Sequence, residues 1–182
     1  GEGIDINADG RIDVDLWGRG ARPDHKDIFV EIHRMWSVDF SLTAQNMVKA
    51  AFDSVPFYLV HNPDLKDGIK LHLDFDPADS LLVNEVWSKD PWAEFFAAKR
   101  SVVGWGLPGE RSHPNAKNLL AAKRLAYRYC IFGVAFDTPS PSGLAELRGN
   151  DFLVTLARMT PRGGTNDQQA GTFMHELGHT LG

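Results

Sequence analysis

Gly171-Thr172-Phe173-Met174-His175-Glu176-Leu177-Gly178-His179-Thr180-Leu181-Gly182 closes the 182-residue chain, and its reading decides the rest. Within it, His175-Glu176-Leu177-Gly178-His179 has the pattern H-E-x-x-H. Two residues four apart on a helix share one face and lie about 6 Å apart along its axis. Both imidazoles can then reach a single metal ion at roughly 2.0–2.1 Å, the distance zinc prefers. Glu176, between them, is placed to handle a proton beside that metal. Thr165-Asn166-Asp167-Gln168 reads as a capping box and sets the helix start. Helical phase then puts Ala170, Phe173, Met174, Leu177 and Leu181 on an apolar side. Gln168, Thr172, His175, His179 and Gly182 fall opposite. One side can pack on a core while the other faces a cleft. Small Gly178 and Gly182 leave room around the imidazoles, and glycine inside a helix costs about 1 kcal/mol relative to alanine, so a reason is expected for them. The plain alternative is two surface histidines beside an ordinary acid on an amphipathic helix.

Working outward, the pattern is that of a folded domain. Asp27-Ile28-Phe29-Val30-Glu31-Ile32 contains a β-rich run. Residues 42–55 read as a helix with Met47, Val48, Ala51, Phe52 and Val55 on its stripe, Ser41 or Thr43 as N-cap, and Pro56 as the stop. Ile69 to Phe75 alternates as a half-buried strand. Residues 91–100 and 115–126 have helical composition. Tyr127 to Phe136 and Phe152 to Leu156 are strand-like, and Thr138 to Gly143 reads as a loop.

The first residues differ. Asp5-Ile6-Asn7-Ala8-Asp9-Gly10-Arg11-Ile12-Asp13 spaces oxygen side chains at alternate positions, with glycine sixth. That is the opening of an EF-hand-like Ca2+ loop. Asp5, Asn7 and Asp9 would offer side-chain oxygens, Arg11 its carbonyl, and Asp13 a carboxylate or a water. Leu16 stands where the bidentate glutamate belongs, so a solvated acidic turn is the competing reading. The chain therefore divides into an acidic calcium-loop-like segment, 1–23, and a catalytic-type domain, 24–182.

Composition bounds the function. Hydrophobic content of 43% with 24% charged residues is ordinary for a globular protein. A net charge of −5 without a long basic run argues against nucleic acid as a partner. No apolar stretch approaches the roughly 20 residues of a membrane span. Gly1 to Asp5 does not read as a signal peptide, and both ends read as cut. Cys130, the single cysteine, sits in an apolar run and reads as a small buried hydrophobe. Of the other histidines, His33 ends a strand and could line a cleft, and His72 alternates with leucines. His25, His61 and His113 read as surface residues. None has ligand spacing with the motif.

Gly171 to Gly182 resembles the zinc helix of the metzincin metallopeptidases, whose longer signature is H-E-x-x-H-x-x-G-x-x-H. His175, Glu176, His179 and Gly182 match its first four fixed positions, and the third histidine would fall three residues past Gly182. From about Asp24 the chain resembles secreted bacterial and archaeal metzincin-like proteases, in which a D-I-F-V-E-I strand follows an aspartate-rich repeat. The resemblance implies an α+β fold: a twisted mixed β-sheet with backing helices, ending in the zinc helix. This is the N-terminal subdomain, with the C-terminal subdomain absent. It implies a secreted, Zn2+-dependent endopeptidase acting on peptide or protein substrates, with Glu176 as general base and His175 and His179 as ligands. The substrate is expected to lie along an exposed sheet edge, within Tyr127–Phe136. With two histidines alone the chain is expected to hold zinc weakly and to turn over no peptide. A thermolysin-like arrangement would instead take a glutamate as third ligand, and Gly182 favours the metzincin form. The competing functions are a calcium-dependent binding or adhesion module with a vestigial zinc motif, and a zinc hydrolase acting on something other than peptides.

Overall fold

The computed structural model describes residues 3–81, 86–87, 90–133, 135–136, 141–156 and 158–182. The elements, in order, are β1 (Asp27–Met35), α1 (Leu42–Asp53), α2 (Phe57–Val60), β2 (Lys70–Leu81), β3 (Val86–Trp87) and α3 (Pro91–Lys99). They continue with α4 (Pro108–Arg111), α5 (Ala116–Ala126), β4 (Tyr127–Gly133), β5 (Ala135–Phe136), β6 (Gly143–Ala145), β7 (Asp151–Thr155) and α6 (Asn166–Leu181). This is a mixed α+β fold. Its main sheet has the order β2-β1-β4-β7-β6, and β3 pairs with β5 in a separate two-stranded sheet. Neighbours in the main sheet are parallel except β6, which runs antiparallel to β7 at the edge.

Side chains alternate across a strand, so the sheet has two different faces. Ile28, Val30 and Ile32 of β1 share a face with Cys130 and Phe132 of β4 and Phe152 of β7, all buried. Helices α1 and α6 cover this face and touch each other. Phe173 of α6 is its aromatic centre, with ring centroids 5.2 Å from Phe152, 6.3 Å from Phe132 and 5.0 Å from Phe40. An aromatic cluster of this kind supplies much of the apolar burial that fixes a helix on a sheet.

The opposite face combines buried aromatic and aliphatic side chains, Phe29, Tyr127, Tyr129, Ile131 and Leu153, with a buried polar cluster. Glu31 and His33 of β1 are fully buried there, as is Lys123 of α5. Lys123 Nζ lies 2.6 Å from Glu31 Oε2, 2.7 Å from Glu110 Oε2 and 3.2 Å from Asp74 Oδ2. It also sits 4.5 Å from the centroid of the Tyr127 ring. Arg19 donates to Asp74, Glu110 and Tyr127, which ties the N-terminal segment to the same cluster. Beside it, Arg111 forks onto both oxygens of Asp79 at 2.8 and 2.9 Å. Burial alone would lower the Lys123 ammonium, but Glu31, Glu110 and Asp74 outweigh it and hold the pKa above its ordinary value. Burial pushes the Glu31 carboxyl up, with Lys123 only partly opposing.

Three sequence expectations change. His33 lines no cleft: its ring is bonded between Tyr129 Oη at 3.0 Å and Asp79 Oδ2 at 3.1 Å, with no exposure. On α1, Ser41 caps the helix as expected, but Ala44 and Val48 form the buried line and Met47 is exposed. Tyr127–Gly133 is interior, paired on both sides, and cannot accept an added strand. The sheet edge beside α6 is β6 instead, in a stretch that begins inside the expected loop; Val134 and residues 137–140 lie outside the described residues.

Candidate metal centre

Local chemistry fixes both ends of α6. Thr165 Oγ1 accepts from the Gln168 amide at 3.3 Å, and Gln168 Oε1 accepts from the Thr165 amide at 2.9 Å, completing the capping box. Ser41, the N-cap of α1, donates its amide to Gln169 Oε1 at 2.9 Å and its hydroxyl to Asn166 Oδ1 at 2.6 Å. The two helix starts are thereby clamped together. At the other end the Arg148 amide donates to the His179 carbonyl at 3.0 Å, and Arg128 Nε donates to Thr180 Oγ1 at 2.8 Å. Carbonyls in a last helical turn lack intrahelical partners, so the Arg148 contact is a cap. Gly182 has φ +106°, a conformation that glycine adopts without strain.

His175 and His179 stand on the exposed side with Nε2 atoms 3.1 Å apart. Their rings are nearly perpendicular, at 87°, with centroids 4.6 Å apart. Two nitrogens bound at 2.0–2.1 Å to one tetrahedral zinc stand about 3.3 Å apart. The observed spacing fits a shared divalent ion. A Cβ added at Gly178 would meet nothing within 4 Å, so this part of the helix is open as expected.

Glu176 differs from its neighbours. It is only 5% exposed, and among the described residues no group donates a hydrogen bond to its carboxylate. Burial raises its pKa, while the neighbouring His175 and His179 draw it down without restoring it. Its carboxylate oxygens are not fully enclosed: among the described residues the enclosed side-chain N and O atoms without a hydrogen-bond partner are Glu31 Oε2 and Ser101 Oγ, so solvent still reaches the Glu176 carboxylate. Its nearest lid is Gly143 of β6, whose missing side chain leaves the space that Glu176 fills. The Cys130 thiol lies below on the same face, pushed well up by burial and then by the Glu176 charge.

The apolar stripe is rotated from the expected one. Gln169, Ala170, Phe173, Glu176, Leu177 and Thr180 are buried, while Met174 and Leu181 are 36% and 42% exposed. The buried sector is centred near Phe173, and Met174 and Leu181 lie about 100° and about 80° round the helix from it, at the sector's border. This rotation takes Glu176 toward the sheet and leaves the imidazoles outside.

The N-terminal loop closes on its own amides. Asp5 accepts from Asp9 and Gly10, Asn7 from Asp9, Asp9 from Arg11, and Asp13 from Ile6. Gly10 takes the positive φ, +84°, that the sharp turn requires. Asp13 also accepts from Asn115 Nδ2 at 2.7 Å, which docks the loop on the start of α5. Among the described residues, no three His, Cys, Asp or Glu side chains converge on a metal-sized position, so α6 offers a two-nitrogen site. His72 is bonded to Asp27 and stacked on Phe29, and His25 pairs with Asp64.

No known family model matches the chain, and no curated protein or solved structure is significantly similar to it. No helix among the described residues is long and apolar enough to cross a membrane. Sequence reasoning missed Gly143, whose only signal was a glycine after a proline-rich stretch.

Proposed function

We propose that this chain carries the zinc-binding part of a metal-dependent endopeptidase. The observation that supports it most is the 3.1 Å approach of His175 and His179 Nε2 on the open side of α6, with the largely buried side chain of Glu176 between them in sequence.

His175 and His179 would hold the metal through Nε2, and a third ligand would come from the residues following Gly182, since catalytic zinc takes three protein ligands. Zinc, when bound, supplies Lewis acidity to a carbonyl and makes water acidic near pH 7. Glu176 accepts the proton of the attacking water on a carboxylate oxygen and passes it to the leaving amine. β6 is an edge strand of the sheet and touches α6, and an extended peptide can add to such an edge by main-chain hydrogen bonds.

Digestion of casein or gelatin, with and without a chelator, tests this in protein that includes the third ligand. Cleavage that stops with chelator and returns with zinc is the expected result. Cleavage indifferent to chelator, or none in zinc-loaded protein, refutes the reading.

A further inference from the structure

One side of α6 runs along the hairpin that starts at β6. Thr172, Glu176 and His179, four and three residues apart, form a single stripe on the helix. Each meets the hairpin. Thr172 Oγ1 lies 3.5 Å from Ser142 Oγ, the Glu176 side chain covers Gly143, and the His179 carbonyl accepts from the Arg148 amide at 3.0 Å.

Gly143 stands at the middle contact. Its φ is not in the left-handed region, so backbone freedom is not what glycine provides here. Space is what it provides. A Cβ built on Gly143 would lie 2.5 Å from Glu176 Cγ, 2.5 Å from Oε1 and 2.6 Å from Cδ. Non-bonded carbons prefer about 3.5–4.0 Å. Three successive atoms of the glutamate are obstructed, so turning the carboxyl group alone relieves nothing. The helix cannot easily retreat, because Arg148 and Arg128 hold its last turn and Phe173 its middle. The side chain itself must rotate, and the carboxylate then leaves its place.

We propose that Gly143 is a positioning residue: its bare Cα fixes where the Glu176 carboxylate sits beside the paired imidazoles. The proposal rests on the reading of Glu176 as the proton-transfer group. It makes β6 two things at once, the sheet edge beside the site and the wall that sets the geometry of the general base.

Two measurements test it together. In the metal-free chain, Gly143→Ala should lower the midpoint of thermal unfolding by about 5 °C, the usual effect of overpacking a domain of this size. The same change made in the Glu176→Ala background should cost little, because the obstructing atoms are gone. In zinc-loaded protein with its third ligand, Gly143→Ala should keep full zinc content and near-normal KM while kcat falls about 100-fold, as for a misplaced catalytic group. Equal loss of stability in both backgrounds overturns the proposal, as does unchanged kcat or loss of zinc. If the wild-type protein holds zinc but cleaves nothing, the endopeptidase reading fails, and the stability cycle still decides whether Gly143 places Glu176.

Discussion

Lys123→Met is expected to destabilise the fold by about 3–5 kcal/mol, the typical cost of stranding a buried charge. Lys123 is fully buried and is the cation shared by Glu31, Glu110 and Asp74. Methionine keeps the apolar length of the stem but leaves the buried Glu31 carboxylate without its ammonium partner, while Glu110 keeps only Arg19 as a cation. Glu31 has no exposure, so water cannot replace the ammonium. The sign of the pH dependence follows. The Glu31 carboxyl is already raised in the folded protein, with burial as the largest cause. A carboxyl raised in the folded state favours folding below its unfolded pKa, and that contribution is lost as pH rises through the folded value. Glu110 goes the other way in the wild type: burial would raise it, but Lys123, the Leu107 amide and Arg19 hold it below its ordinary value. That stabilisation is present at neutral pH, is lost on acidification, and depends on Lys123. The Glu110 contribution is already present at pH 5, so the variant's larger deficit at pH 8 than at pH 5 comes from Glu31, whose carboxyl loses the opposing Lys123 charge. Urea unfolding at the two values reads it directly. A loss below about 1 kcal/mol, within the range of an exposed ion pair, would contradict this account of the cluster.

The second large effect concerns Glu176→Gln. The amide preserves the shape of the side chain beneath Gly143 but cannot accept a proton. In zinc-loaded protein with its third ligand, kcat for peptide cleavage should fall by about 10²–10⁴, the contribution of a positioned general base. Zinc content should stay at the wild-type level, because His175 and His179 approach each other from the exposed side and bond to nothing that Glu176 provides. The variant should also be at least as stable as the wild type, since partial burial disfavours the charged carboxylate and no described group donates to it. Stability without activity is the signature of a group retained for chemistry. Turnover near the wild-type level with zinc bound would remove Glu176 from the mechanism.

The helix that carries the site was readable because its signals are local. The capping box from Thr165 to Gln168 and the four-residue spacing of the histidines both act within one helix, and each is present. The central strands were readable for a similar reason, since β1, β4 and β7 are continuous β-rich runs. What sequence could not show depends on partners far along the chain. The burial of Glu31 depends on Lys123, ninety-two positions away, and neither residue type announces it. The interior place of β4 follows from pairing order, which composition does not encode. Gly143 read as part of a loop because its neighbours are prolines and serines, and only the approach of α6 gives its missing side chain a purpose. The rotation of the apolar stripe away from Met174 and Leu181 likewise reflects where the sheet lies, not what the helix prefers.

The claim on which the account depends is that His175 and His179 grip one ion through Nε2. Crystals of this chain soaked in zinc and measured on both sides of the zinc absorption edge test it most directly. The account predicts one anomalous peak bridging the two Nε2 atoms, at about 2.0–2.1 Å from each. A peak bound to a single ring, or to other residues while the two rings point apart, would contradict it.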